Sequence, residues 1–233
     1  MRQINITEVN SATLLNKIIT PLKNQSLLTD EDLTALQPYL EKVFKNIEIS
    51  NANSDSKKDE PLITLKRFEK DEVLAEFNDT DTDEIVLVID GNIRADYICE
   101  NKKKKTITRV FVTEGYLALD EGLLGYDKRI YTWTAEQRTD VLSFSSKTYR
   151  YYLSKYPILK DLHIRILEGG IRYKIERINE LLILDTYERF TKFLNDPKVN
   201  HKKISQKHLA SYLGTSTRHL RRLSEEYANK TSK

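Results

Sequence analysis

From residue 216 to residue 222 the chain reads Ser, Thr, Arg, His, Leu, Arg, Arg. Three guanidinium groups within five positions suit forked hydrogen bonding to guanine edges or to phosphate. Hydroxyls at the start of a helix, here Ser216 and Thr217, suit phosphate oxygens. For that chemistry Arg218, Arg221 and Arg222 must share one outward face, and the flanking sequence supplies the means. Within SQKHLASYLGTSTRHLRRL, residues 205–223, Ser205 is a cap for a helix from Gln206 to Leu213 whose buried stripe is Leu209, Ala210 and Leu213. Gly214 stops that helix in a left-handed conformation, and Ser216 caps a second helix from Thr217 to about Tyr227. Leu220 and Leu223 point inward and leave Thr217, Arg218, Arg221 and Arg222 outside. Small Ala210 allows a steep crossing. A plain helical hairpin needs the leucines and the glycine turn but not the arginines, so the spacing predicts a helix-turn-helix with Ser216, Thr217, Arg218, Arg221 and Arg222 as candidate DNA contacts.

Charge is divided in the same sense. The whole chain carries +3, yet residues 197–233 hold nine Lys or Arg against Glu225 and Glu226, leaving that end at +7 and residues 1–196 at −4. A basic terminus of this kind points to an anionic partner. The four histidines, His163, His201, His208 and His219, all lie outside the β-prone region, which argues against a cupin-type metal site or a hydrolytic triad there. His208 and His219 read as packing or phosphate-facing residues. Cys99 is the single cysteine, so no intrachain disulfide and no cysteine-ligated cluster forms within one chain. No run is long enough to span a bilayer, and MRQINITEVN lacks the apolar core of a signal peptide, so the expected location is cytoplasmic. No cofactor or metal is expected, nor an enzymatic activity.

A length of 233 residues with 39% hydrophobic content allows one large domain or two smaller ones. Residues 11–45 have helical periodicity in two short pieces, around Leu14 to Ile19 and, after the acidic start TDED at 29–32, from Leu33 to Phe44. A polar linker, NANSDSKKDE, follows at 51–60. Between 62 and 145 short β-prone runs succeed one another: ITLKRF, EVLAEF, EIVLVID, NIRADYIC, TITRVFVT, IYTWTAE and DVLSF. Turn signals separate them at Lys70-Asp71, Asn78-Asp79, Asp90-Gly91-Asn92, the lysine run 102–105 and Gly122 to Lys128. Such a series predicts an antiparallel sandwich or roll. The lysine run reads as a solvated hairpin tip, and Asp81, Asp83 and Glu84 as a solvated acidic turn. Beyond Ser146 the helical period returns: Ile164, Ile171 and Ile178 are seven apart, as are Ile175 and Leu182, with Leu167 on the same stripe. A helix of about 25 residues with this stripe suits pairing with its own copy. Gly169-Gly170, in its middle, marks either a close approach or a break. A further helix at about 185–195 is apolar at Tyr187, Phe190, Phe193 and Leu194, and Pro197 ends it.

The order of these parts resembles the Crp/Fnr family of bacterial transcription regulators over roughly residues 30–230, most specifically in HLASYLGTSTRHLRRL at 208–223 and in TAEQRTDVLSF at 134–144, followed directly by the helix SSKTYRYYLSKYPIL. The resemblance implies an α+β fold in which an antiparallel β-roll (double-stranded β-helix, cyclic-nucleotide-binding-like) with flanking helices precedes a long dimerisation helix and a C-terminal helix-turn-helix. The corresponding domains are a helical lead-in and linker at 1–60, the roll at 61–146, the dimerisation helix at 147–183 and the helix-turn-helix domain at 184–233. It implies double-stranded DNA, a second copy of the chain and RNA polymerase as partners, with DNA read by Ser216, Thr217, Arg218 and Arg222. The dimer interface would be Ile164, Leu167, Ile171, Ile175, Ile178 and Leu182.

Two departures bear on this. Lys233 follows the second helix too closely for the β-hairpin wing of most members, as in a wingless Bacteroidetes-type branch. Cyclic-nucleotide-binding members carry a Gly-Glu pair and, about ten residues on, an Arg followed by Ser or Ala. Here EGYLALDEGLLGYDKRIYTW puts Arg129 near the arginine position, but Ile130 follows it and no Gly-Glu pair stands upstream at the right distance. Arg129 is the one candidate effector contact, reads better as a surface residue, and cyclic nucleotide is not the expected ligand. The rival reading is a regulatory module whose roll binds a small ligand or protein while the C-terminal helices only dimerise.

Overall fold

The computed structural model describes residues 2–3, 16, 19–20, 29–32, 34–39, 41, 63–99, 105–196 and 204–231. Among these residues nine strands form two antiparallel sheets: β1 (Arg2–Gln3), β2 (Ile63–Phe68), β3 (Val73–Ala75), β4 (Glu84–Asp90), β5 (Asn92–Cys99), β6 (Lys105–Thr113), β7 (Leu117–Ala118), β8 (Thr132–Ala135) and β9 (Thr139–Ser145). One sheet runs β1-β2-β9-β4-β7 and the other β3-β8-β5-β6. Their facing sides enclose a core of Phe68, Val86, Val88, Ile93, Ala95, Val112, Leu119, Trp133 and Val141. Central β4 is apolar on both sides, with Ile85, Val86, Val88 and Ile89 all buried, as befits a strand between β9 and β7. The turn expected at Asp90-Gly91-Asn92 joins β4 to β5. Gly91 has φ +96°, and a Cβ there would lie 2.6 Å from the Arg138 carbonyl oxygen, so glycine is required twice over.

Several expectations change in detail. EVLAEF and IYTWTAE contribute only the short strands β3 and β8, and β7 had no sequence signal because two residues show no alternation. The lysine run falls at the β5–β6 connection, with Lys102 to Lys104 outside the described residues, as are the linker 51–60 and Pro197. Of the N-terminal helical stretch, residues 30–32 and 34–39 are helical, with Leu36 buried, Tyr39 against Tyr156 at 5.0 Å and Asp32 paired with Arg165 at 2.6 Å.

The largest correction concerns Arg129, which is not at the surface. It is 1% exposed and ion-paired at 2.9 Å with Glu121, itself 1% exposed. Its guanidinium also donates to the carbonyls of Leu119 at 2.7 Å, Glu84 at 2.8 Å and Asp81 at 3.0 Å, while Trp133 Nε1 donates to the other Glu121 oxygen at 2.7 Å. A buried charge is tolerable only when paired and hydrogen-bonded, and both partners here are. The acidic turn is corrected with it. Asp81 and Asp83 are exposed, but Glu84 lies in β4 against Lys66 and Ser143, and Asp83 accepts from the Ser146 amide at 3.2 Å.

Five helices follow: α1 (Ser146–Lys155), α2 (Pro157–Ile183), α3 (Thr186–Leu194), α4 (Gln206–Leu213) and α5 (Thr217–Thr231). Ser145 caps α1 by accepting from the Thr148 amide at 3.0 Å. The segment SSKTYRYYLSKYPIL is two helices rather than one. Pro157 has no N–H to continue α1, and Tyr156 before it is extended at φ −126°, ψ 100°. Pro157 instead opens α2, which runs 27 residues without a break at Gly169-Gly170. A full capping box between Asp185 and Glu188 starts α3. No described helix is long and apolar enough to cross a membrane.

The C-terminal helices do not stand apart from the sheets. Tyr212 of α4 packs on Phe111 of β6 at 5.3 Å and on Phe193 of α3 at 5.4 Å, and the Thr108 amide of β6 donates to Ser211 Oγ at 3.0 Å. Glu136, beyond the end of β8, is 0% exposed and accepts from His208 Nδ1 at 2.7 Å, the Ser205 amide at 2.8 Å and Arg94 at 2.7 Å. Burial pushes the Glu136 carboxyl up, but the bonds from His208, Ser205 and Arg94 outweigh it and hold it at about 2, against the usual 4.5. Since an ionised carboxylate only accepts, Nδ1 of His208 carries the proton.

Two outcomes follow from these buried charges. Arg129→Met removes the ion-pair partner of buried Glu121, so the urea midpoint should fall by the equivalent of about 3–5 kcal/mol, and adding Glu121→Gln should recover part of the loss. For Glu136 the folded value is depressed. Its stabilisation, about 3 kcal/mol from the shift, is therefore present above pH 4.5 and is lost as pH falls toward 2. An acid titration followed through the Thr108 amide should show that loss in the native chain and not in Glu136→Gln.

Candidate nucleic-acid interface

The two C-terminal helices are built locally much as the spacing requires. Ser205, at φ −66° and ψ 142°, caps α4 by accepting from the His208 amide at 3.2 Å. Gly214 ends α4 at φ 71° and ψ 33°, the left-handed region, and its amide and that of Thr215 return to carbonyls of the last turn. Ser216 Oγ accepts from the His219 amide at 3.1 Å and so starts α5. Leu209, Ala210, Leu213, Leu220 and Leu223 are buried together with Phe190, Phe193 and Ile204, which is the pin that fixes the two helices to α3. Tyr227 and Lys230 extend the contact: Tyr227 meets Phe190 edge-on at 6.1 Å, and the Lys230 ammonium sits 4.3 Å from the centre of the Tyr187 ring.

The face opposite this pin is open. Ser216, Thr217, Arg218, Arg221 and Arg222 are all exposed. None of the three arginines has a carboxylate partner among the described ion pairs, although Glu225 and Glu226 are nearby in sequence. Arg221 Nε makes a long contact of 3.4 Å to Gln206 Oε1 at the start of α4, which draws this arginine to the α4 side of the face. Thus the structure brings the five candidate contacts together on one solvated, basic surface that begins at a capped helix start. Such a surface has the free donors, the positive potential and the helix-end amides that a phosphate backbone requires.

The other two candidate sets stand elsewhere. The apolar stripe of α2 faces solvent in the single chain: exposure runs from 38% at Leu167 to 79% at Leu182, with Ile164, Ile171, Ile175 and Ile178 between 51% and 59%. The opposite side of α2 is polar and engaged. Tyr173 shares a 2.9 Å hydroxyl contact with Tyr212, and the Arg177 guanidinium lies 4.0 Å over the Tyr212 ring while bonding the Tyr212 carbonyl and, at 3.1 Å, Glu180. Glu180 in turn pairs with Lys192 of α3 at 2.8 Å. Arg129 belongs to neither set: it is buried in the sheet body and its donors are already committed to protein oxygens.

Sequence reasoning missed the residues that hold α4 in place: Arg94, Phe111, Glu136, Tyr173, Arg177 and Tyr212. His208 was expected to face phosphate or to pack; it packs, with its ring nitrogen on Glu136. Ser205 and Leu209 gave away α4 through local spacing, whereas Glu136 and His208 are 72 positions apart and carry no mutual signal.

No protein-family model and no curated protein matches the chain in sequence. Solved structures do match in fold. FixK2 from Bradyrhizobium japonicum superposes with a TM-score of 0.62 at 16% identity, covering 73% of this chain and 86% of its own. CLP from Xanthomonas campestris, described as a c-di-GMP responsive global regulator linking cell–cell signalling to virulence gene expression, gives 0.57 at 15% identity, over 72% of this chain and 87% of its own. TTHA1359 from Thermus thermophilus, described as a transcriptional regulator of the CRP/FNR family, gives 0.53 at 18% identity, over 71% and 86%. The chain thus has the fold seen in CRP/FNR-type transcriptional regulators.

Proposed function

We propose that the chain is a sequence-specific DNA-binding transcription regulator that works as a homodimer in the cytoplasm, without enzymatic activity of its own. The observation that carries this reading is the α5 surface: Thr217, Arg218, Arg221 and Arg222 exposed behind the Ser216 cap, on a helix pinned from the other side by Leu220 and Leu223. In it, α4 and α5 are the helix-turn-helix, and the start of α5 enters the major groove, with Arg218 and Arg222 at base edges and Ser216, Thr217 and Arg221 at phosphates. The neighbours named as transcription regulators support it at the level of fold.

The division into a lead-in (1–60), a roll (61–146), a dimerisation helix (147–183) and a DNA-binding end (184–233) is part of the proposal. From β2 to β9 every connection but β5–β6 crosses between the two sheets, with β2, β4, β7 and β9 in one and β3, β5, β6 and β8 in the other, and this supports the roll. The unpartnered stripe of α2 supports the dimer, because contiguous Ile and Leu at heptad spacing are costly to leave in water. Two recognition helices would then lie about one DNA turn apart on a pseudo-palindrome. RNA polymerase is a further partner on this reading. Cyclic nucleotide is not its ligand, since Arg129, the nearest counterpart of a phosphate-binding arginine, already donates to Glu121 and three carbonyls. Any other effector is left unnamed.

Selection from random duplexes followed by gel-shift titration tests the reading. Binding should fall steeply with salt. Arg218→Ala and Arg222→Ala should each cost about 10- to 100-fold on the selected site, from about 1–3 kcal/mol per base contact, while Arg221→Ala should weaken all sequences alike and shallow the salt slope by about one. Ile171→Glu with Ile175→Glu should sediment as a monomer and lose the selected site. Failure of the native chain to bind any duplex at low salt would leave the rival module reading in its place.

A further inference from the structure

The contacts that seat α4 are more than packing, because they come from two independent parts of the chain and none of them covers the α5 surface. On one side is the sheet face: Glu136 holding His208 and the Ser205 amide, the Thr108 amide on Ser211, and Phe111 against Tyr212. A polar chain continues behind it, for Arg94 joins Glu136 to Asp96, and the Thr108 hydroxyl donates to Asp96 at 2.8 Å. On the other side is α2, whose Tyr173 and Arg177 grip the hydroxyl, ring and carbonyl of Tyr212. Helix α4 is therefore clamped between the sheets and the long helix, with the start of α5 still open to solvent.

Geometry makes the clamp consequential. Helix α2 presents its apolar stripe to solvent on the side away from Tyr173 and Arg177, so the same helix that offers a seam for a second copy also holds α4. From the seam to α5 the path runs through Arg177, Tyr212 and the Leu209–Leu220 core, with packed or hydrogen-bonded contacts throughout. A buried carboxylate adds directional constraint that apolar packing lacks. Glu136 is satisfied only when Nδ1 of His208 and the Ser205 amide point at it, which fixes both the tilt of α4 and its position along its axis.

Resting on the reading of the chain as a DNA-binding dimer, we propose that this clamp fixes the recognition helix relative to the dimer axis, and that Glu136, His208 and Tyr212 are positioning residues which set the half-site spacing the protein accepts. A two-helix unit free to swivel would reach half-sites at several separations; a clamped one accepts a single separation and rejects its neighbours, because the base-pair step that misplaces a half-site also rotates it around the duplex.

The test uses the full chain and a set of palindromes built from its selected half-site, with the spacer lengthened or shortened by one and two base pairs. The native protein is expected to prefer one spacing by tenfold or more. Glu136→Gln, His208→Leu and Tyr212→Ala should compress that preference to about twofold while the salt slope and the affinity for random duplex stay as they are. His208→Asn keeps an N–H donor near the Nδ1 position and should retain the native preference. Exchange of the Thr108 amide, whose partner Ser211 belongs to α4, reports seating directly and should quicken in the first three variants. Quickened exchange with unchanged spacing preference would overturn the proposal, as would unchanged exchange in all three. Tyr212→Phe, which keeps the ring among Phe111 and Phe193, guards against a misfolded Tyr212→Ala: it should lie between native and alanine in both readouts, and native behaviour in both would remove the Tyr173 contact from the clamp and overturn that part. A native chain that binds no duplex at any spacing overturns the DNA-binding reading itself, a result distinct from native binding with indifferent variants.

Discussion

A charge that water cannot reach must find every one of its partners inside the protein, and among the described residues that requirement is met at two places with different consequences. Glu121 and Arg129 meet it within the sheets, using backbone carbonyls and the single tryptophan as the remaining partners. Glu136 meets it across two regions of the chain, with one partner in β5 and two at the start of α4. The first network ties the 119–129 segment to the rest of the sheet body. The second makes the placement of the C-terminal helices a condition for a well-solvated carboxylate to lose its water, so the two regions cannot separate without rehydrating it.

Helix α2 organises the rest. Its 27 residues span about 40 Å at the usual rise, far enough to run from the foot of the sheets to the C-terminal helices. One side carries exposed isoleucines and leucines, the other carries Tyr173, Arg177 and Glu180 in contact with α3 and α4. Two faces with different chemistry on a single stiff element give it two tasks at once. The uninterrupted passage through Gly169-Gly170 belongs here, since a break would have uncoupled them.

What could be read from the sequence followed the range of the physics involved. Turn glycines, serine caps and leucine spacing act over a few residues, so α4, its glycine stop, α5 and most strands were legible, as was the exposure of Ser216 and of Thr217, Arg218, Arg221 and Arg222 in α5. Short strands such as β7 leave too few residues for a period. Pro157 is visible in SKYPIL, and its effect on Tyr156 is a local one, so the division into α1 and α2 was within reach of the sequence even though the helical period runs across it. Arg129 and Glu136 were of another kind. An isolated charged residue looks like surface, and only its partners, brought by strand pairing or from 72 positions away, reverse that reading.

The seating of α4 also bears on how the chain is made. Its contacts with the sheets join residues separated by 72 and 103 positions, and α4 comes after every described strand in the sequence. During synthesis from the N-terminus the sheet body leaves the ribosome first and has all its strands before α4 exists. Until then the Glu136 carboxylate and the Phe111 ring lack their partners in α4, one hydrated and the other an apolar surface in water. The docking of α4 is thus a dehydration of one acidic group, timed by the arrival of the histidine that replaces its water.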